Sequence, residues 1–146
     1  MSRRWGAIAA FIVVTSLVGA DEVAKDEPIV VVGRLVDIDG RAPDCGMYAF
    51  AMVMKYRVLR VEHGSLAGKW LYAIHACPEM TRTQYNGAAA GSLGAFVVGD
   101  AHRLTLVSKV PPEADAAVID LFTKQGKRWW VARADKVDDP EAAADQ

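Results

Sequence analysis

The densest group of chemically capable side chains is His75-Ala76-Cys77 with Met80 just beyond, and Cys45, His63 and His102 elsewhere in the chain. Imidazole, thiolate and thioether are the ligands that cuprous copper or another soft metal selects, so His75, Cys77 and Met80 define one reading, a soft-metal site. On a strand His75 and Cys77 share a face. Met80 lies past Pro78, so closing such a site requires the loop to fold back. The same neighbours could form a thiol–imidazole nucleophile pair, which needs a free thiol and an orienting group. Oxidation removes the thiolate from both readings. The chain holds two cysteines, Cys45 and Cys77, and in an oxidising compartment an isolated pair is expected to join as a disulfide. The loop closed that way stabilises a fold by roughly 3 to 4 kcal/mol.

Other catalytic patterns are weaker. Asp37 with Asp39, and Asp138 with Asp139, sit in turn-like and tail-like surroundings that suit solvated charge. Gly87, Gly91 and Gly94 lack the lysine and the strand-to-helix setting of a phosphate loop. The expectation is therefore a chain with no catalytic residues and no cofactor. Aromatic side chains offer a different chemistry: Trp70, Tyr72, Trp129 and Trp130 are candidates for anchoring a protein or glycan partner. Adjacent residues of a strand point to opposite faces, so Trp129 and Trp130 cannot both enter one interior.

These residues have to be placed by strands. Ile29 to Ile38 is rich in β-branched residues and ends at Asp39-Gly40, with Gly33 marking a bend or bulge. Tyr48 to Glu62 is the longest extended segment, with Phe50, Met52, Met54, Tyr56 and Val58 alternating toward the core. Its apolar phase slips between Val58 and Val61, which predicts a bulge near Leu59-Arg60. Lys69 to Ala76 forms the third strand, and Trp70, Tyr72 and Ile74 share its one face. An irregular stretch follows, with a short helix expected around Pro78 to Gln84. His102 to Val110 is the fourth strand and Lys127 to Ala134 the last, with helix-like spacing over Glu113 to Phe122 between them. A hairpin turn at Ser65-Leu66 places Cys77 opposite about Met54. The Arg41 to Met47 loop must then double back for the sulfurs to reach the ~4.4 to 6.8 Å Cα separation of a bridge.

Five strands, mostly short and with bulges, and a short helix or irregular insertion between the third and fourth, predict a mainly β fold: a five-stranded Greek-key OB-like barrel. A small sandwich is the alternative. The segments Val31-Val32-Gly33-Arg34-Leu35-Val36, Tyr56-Arg57-Val58-Leu59-Arg60-Val61 with Gly64, Gly68-Lys69-Trp70-Leu71, and Phe96-Val97-Val98-Gly99 with Arg103-Leu104-Thr105-Leu106 resemble the netrin-like domain and the inhibitory domain of tissue inhibitors of metalloproteinases, a style shared by small exported bacterial proteins. The resemblance spans about residues 29 to 110 and implies an OB-type barrel that binds or inhibits. It does not extend to zinc-protease inhibition through an amino-terminal cysteine, because the first cysteine here is Cys45.

At the start, Arg3 and Arg4 precede an apolar run from Ala7 to Val18 that closes with Val18-Gly19-Ala20. That is the order of a secretory signal peptide over residues 1–20, and the run is short for a membrane span. About 126 of the 146 residues then remain, enough for one domain. That domain is assigned to residues 21–134, followed by a disordered acidic tail over 135–146. With 17 basic and 18 acidic side chains interspersed, nothing concentrates the positive charge that nucleic acid or an anionic membrane requires. The sequence therefore predicts a secreted or periplasmic, noncatalytic binding or inhibitory module for an unidentified protein or glycan. Its expected contact surface is a barrel mouth formed by Arg41 to Met47, Cys77 to Gly94 and neighbouring aromatics.

Overall fold

A computed structural model describes residues 26–85, 89–123 and 126–138. The proposed leader and most of the acidic tail lie outside the described residues. The strands are β1 (Ile29–Asp37), β2 (Ala49–His63), β3 (Trp70–Ala76), β4 (Ala101–Val107), β5 (Ala116–Ile119) and β6 (Arg128–Lys136). Five of them follow one another around a closed barrel in the order β1-β4-β6-β3-β2, and β2 pairs back onto β1. All neighbours are antiparallel except β3 and β6, which run parallel. This mixed, closed topology is that of an OB-like barrel, and closure removes the edges that an open sheet of these strands would expose.

Closure depends on the length of β2. Ala51 to Arg57 pair with β3, while Lys55 to His63 pair with β1. One strand therefore serves two sheets, and it must bend where it passes between them. The register skips Leu59 between the pairs Val32–Arg60 and Gly33–Val58, which is the bulge that the apolar phase slip predicted. Gly33 lies beside that bulge. A Cβ there would meet Tyr56 Cβ and Cδ1 at 3.3 Å, so its missing side chain lets the Tyr56 ring pass close to the β1 backbone.

The barrel interior is filled by Val31, Leu35, Met54, Tyr56, Leu71, Ala73, Leu104, Leu106 and Val131. A second core lies outside the wall, where Val53, Tyr72, Ile74 and Trp130 pack beneath Ala114, Ala116 and Phe122. The helix expected over Glu113 to Phe122 is absent: Pro112–Ala114 form one 3-10 turn, and Ala116–Ile119 are β5. The first residues of β2 have no β1 partner, and β5 fills that free edge in parallel, Ala49–Ala116 through Met52–Ile119. An unmet row of backbone donors and acceptors outweighed the weak helical spacing. For the same reason both faces of β2 are buried near Ala51 to Met54, not the Met52–Met54 face alone.

The short helix expected around Pro78 to Gln84 is also replaced, here by hydrogen-bonded turns. The Cys77 carbonyl accepts from the Met80 N–H in one turn and also from the Arg82 guanidinium, which takes the Met80 carbonyl as well, so the ladder does not continue as a helix. Of the two expectations for the insertion, the irregular one holds. Strand β4 ends at Val107, three residues early, and β6 runs two residues past Ala134 because Asp135 and Lys136 still pair with Arg103 and His102 of β4.

Candidate functional site

The two cysteines are joined, with Cα atoms 5.6 Å apart. The register that makes this possible differs from the expected one: Arg57 pairs with Trp70 and Ala51 with Ala76, so the Cys77 N–H reaches the Phe50 carbonyl rather than the Met54 region. The hairpin connection is longer than a tight turn at Ser65-Leu66 would be. Cys45 therefore has only five residues to cover, and its sulfur accepts from the Phe50 N–H at 3.1 Å. Glu79 accepts from the Cys45 N–H at 2.6 Å. Cys45, Cys77 and Glu79 do come together, but the two sulfurs are bonded to each other and present no thiolates. The set His75, Cys77, Met80 loses its thiolate to the same bond, and so does a thiol–imidazole pair.

His75 points into the barrel from β3. Its Nε2 lies 3.1 Å from the Tyr56 hydroxyl, and His102 Nδ1 lies 3.1 Å from the same oxygen. A phenol has one proton to donate, so one imidazole accepts it and the other donates to the phenol oxygen. All three side chains are buried. Burial pushes both histidines down, His102 to about 4, and pushes the Tyr56 phenol up. The Arg82 charge lowers His75 further, whereas Asp100 partly offsets the effect at His102. The three form a neutral polar chain inside an apolar barrel, with Phe96 4.4 Å from His75 and 5.8 Å from His102.

Arg82 closes this end of the barrel. It is 3% exposed, donates to the carbonyls of Ala76, Cys77 and Met80 at 2.6 to 3.0 Å, and sits over the Tyr85 and Phe96 rings. No carboxylate forms an ion pair with it among the described residues. Carbonyl dipoles and ring faces hold the charge in their place. This is an anchor for the disulfide-bearing loop, and it holds the Cys77 to Tyr85 turns in place without a helix. The cavity between that loop and Arg41–Asp44 measures about 160 Å³.

The aromatic residues lie at the opposite end, where β3 begins. Trp70, Tyr72 and Trp129 line a cleft of about 510 Å³ with Leu66, Leu71, Lys69 and Lys127, where β3 and the chain entering β6 diverge. Volumes of this size suit a bound ligand. Trp70 is 43% exposed, and Trp129 is half-buried. Trp130 is excluded from this surface: it points to the other face of β6, is 1% exposed, and belongs to the core under β5. The expected single mouth is thus divided, with the disulfide loops at one end of the barrel and the aromatics at the other.

No known protein family, curated protein or solved structure matches this chain.

Two lysines line the cleft: Lys69 Nζ lies 6.0 Å from the Trp70 ring centroid and Lys127 Nζ 3.7 Å from that of Trp129, while Lys55, outside the lining, holds its Nζ 4.7 Å from the Trp70 ring. These lysines were legible in the sequence only as scattered charges. The β2–β3 register is what brings Lys55 opposite Tyr72 and next to Trp70. Likewise, His102 and Tyr56 carry no signal of partnership across the 46 residues that separate them.

Proposed function

We propose that the protein is an exported, noncatalytic binding module whose barrel is a rigid frame for the Trp70–Tyr72–Trp129 cleft. The observation that carries this reading is the exposed Trp70 beside half-buried Trp129, in a mostly apolar cleft lined by Lys69 and Lys127, with Lys55 against the Trp70 ring. Large rigid rings with polar neighbours are the usual anchors of a recognition surface. The Cys45–Cys77 disulfide supports an oxidising compartment, and with the Arg3-Arg4 and Ala7 to Val18 pattern it supports secretion or a periplasmic location. The resemblance to netrin-like and metalloproteinase-inhibitor domains is in keeping with a binding or inhibitory role. The fully buried His75–Tyr56–His102 chain reads as interior packing rather than a reaction centre.

The test is capture from the exported fraction on the immobilised oxidised protein, comparing wild type with Trp70→Ala and with Trp70→Ala/Trp129→Ala. Species retained by wild type and lost with both variants are expected. Trp70→Ala serves as the variant least disturbing to the fold. Equal recovery on wild type and variants overturns the assignment of this cleft.

A further inference from the structure

We propose that the cleft takes an acidic saccharide, specifically a uronate-bearing oligosaccharide; this rests on the cleft being the recognition surface. The first argument is charge. The described residues include five lysines, Lys55, Lys69, Lys109, Lys127 and Lys136. Lys109 pairs with Asp26 and Lys136 with Asp138. The three without a carboxylate partner among the described residues are those around Trp70 and Trp129. No acidic side chain lines the cleft. The aromatic faces are weak partners for an ammonium at a solvated surface, so a carboxylate brought into the cleft displaces little and gains the two lining cations, Lys69 and Lys127, with Lys55 against the Trp70 ring as a third charge nearby. By contrast, the cleft of about 480 Å³ beside His102 carries both signs, Arg34 and Lys136 with Asp100 and Asp138. It has no such bias.

The second argument concerns shape. An extended acidic peptide would be held chiefly through its backbone, by adding to an open strand edge. Strand β3 is paired with β2 from Trp70 to Ala76 and with β6 from Tyr72 to Ile74. On the cleft side this leaves only Trp70 and Leu71 before the β6 pairing begins. Two residues are too few for strand addition. Recognition here has to come from side chains, and those available are indole rings and ammonium groups. A uronate carries its charge at the rim of the sugar ring and leaves a C–H-lined face for an indole, which matches both.

The experiment uses the full disulfide-bonded protein with a galacturonate tetramer as probe, read by tryptophan fluorescence and calorimetry. The comparison ligands are its fully methyl-esterified form, a sulfated tetrasaccharide and a short poly-glutamate. Binding of the tetramer should weaken as salt rises. It should fall about tenfold or more on esterification and in Lys55→Gln/Lys69→Gln/Lys127→Gln, with Lys→Arg at the same positions restoring it. Trp70→Ala should also lose it while keeping the wild-type melting transition. Equal binding of the ester, indifference to the lysine substitutions, or no binding of the tetramer overturns the proposal. Tighter binding of the sulfated saccharide overturns the uronate assignment. Preference for poly-glutamate that is lost in Trp70→Ala overturns the saccharide and leaves the cleft as the recognition surface. The capture experiment decides that surface separately.

Discussion

Acidification should destabilise this barrel through His102 before its carboxylates are reached. In the unfolded chain a histidine takes up a proton near pH 6.5, whereas burial inside the barrel holds His102 at about 4. Between those values the unfolded state binds the proton and the native state does not, so native stability is complete above about 6.5 and declines as pH falls toward 4. At 1.36 kcal/mol for each pH unit over which one proton is withheld, the loss amounts to about 3 kcal/mol. Few single domains hold more than about 5–15 kcal/mol in all. His75 adds in the same direction, because burial, Arg82 and His102 all oppose its charge. Glu62 and Asp135 act later. Their carboxyls are held below the ordinary carboxylate range, Glu62 by Arg103 and Arg60, and Asp135 by Arg133 and Ser92 against the opposing effect of burial, so their contribution is lost only at lower pH.

The assay is denaturant unfolding of the oxidised protein from pH 7.5 to 4, for wild type and His102→Gln. Glutamine can still bond to the Tyr56 hydroxyl but cannot titrate, so the variant should start less stable at pH 7.5 and lose about 3 kcal/mol less on the way to pH 4. Curves that run parallel over this range would show that His102 is not held neutral by the interior, and the reasoning about the polar chain would fail.

Reducing the disulfide should cost about 4 kcal/mol, the chain-entropy value for a 32-residue separation; a thiol titration should find two thiols only after reduction, and two reactive thiols in the untreated exported protein would contradict the bridge. Gly91→Ala should be severely destabilising, by about 3 kcal/mol or more, because a Cβ there would strike the Ala134 carbonyl and the backbone φ is +129°; an unshifted melting temperature would refute it. Trp130→Ala should cost about 3–5 kcal/mol as a core truncation, whereas the exposed Trp70→Ala should change stability by less than about 1 kcal/mol; paired thermal melts separate the two roles, and equal losses would mean that the faces of these strands are misassigned.

Local sequence determined much of the frame. Alternation from Phe50 to Val58 marked β2, the phase slip before Val61 marked its bulge, and Gly33 marked a bend or bulge that the register shift beside it bears out. Those signals are legible because side-chain direction alternates with period two whatever the rest of the chain does. Two isolated cysteines also announced their pairing. What the sequence could not decide was register and edge. A hairpin connection several residues longer than a tight turn moved Cys77 from Met54 to Phe50, and the uncovered start of β2 drew Ala116–Ile119 into a strand against their own spacing. Contacts that depend on register across strands, such as His75 and His102 on one phenol or Lys55 over Trp70, exist only after the barrel has closed. The tertiary structure alone chose between Trp129 and Trp130, because either face of β6 is apolar and only the packing of the Ala114 to Phe122 segment over one face decides which indole is covered.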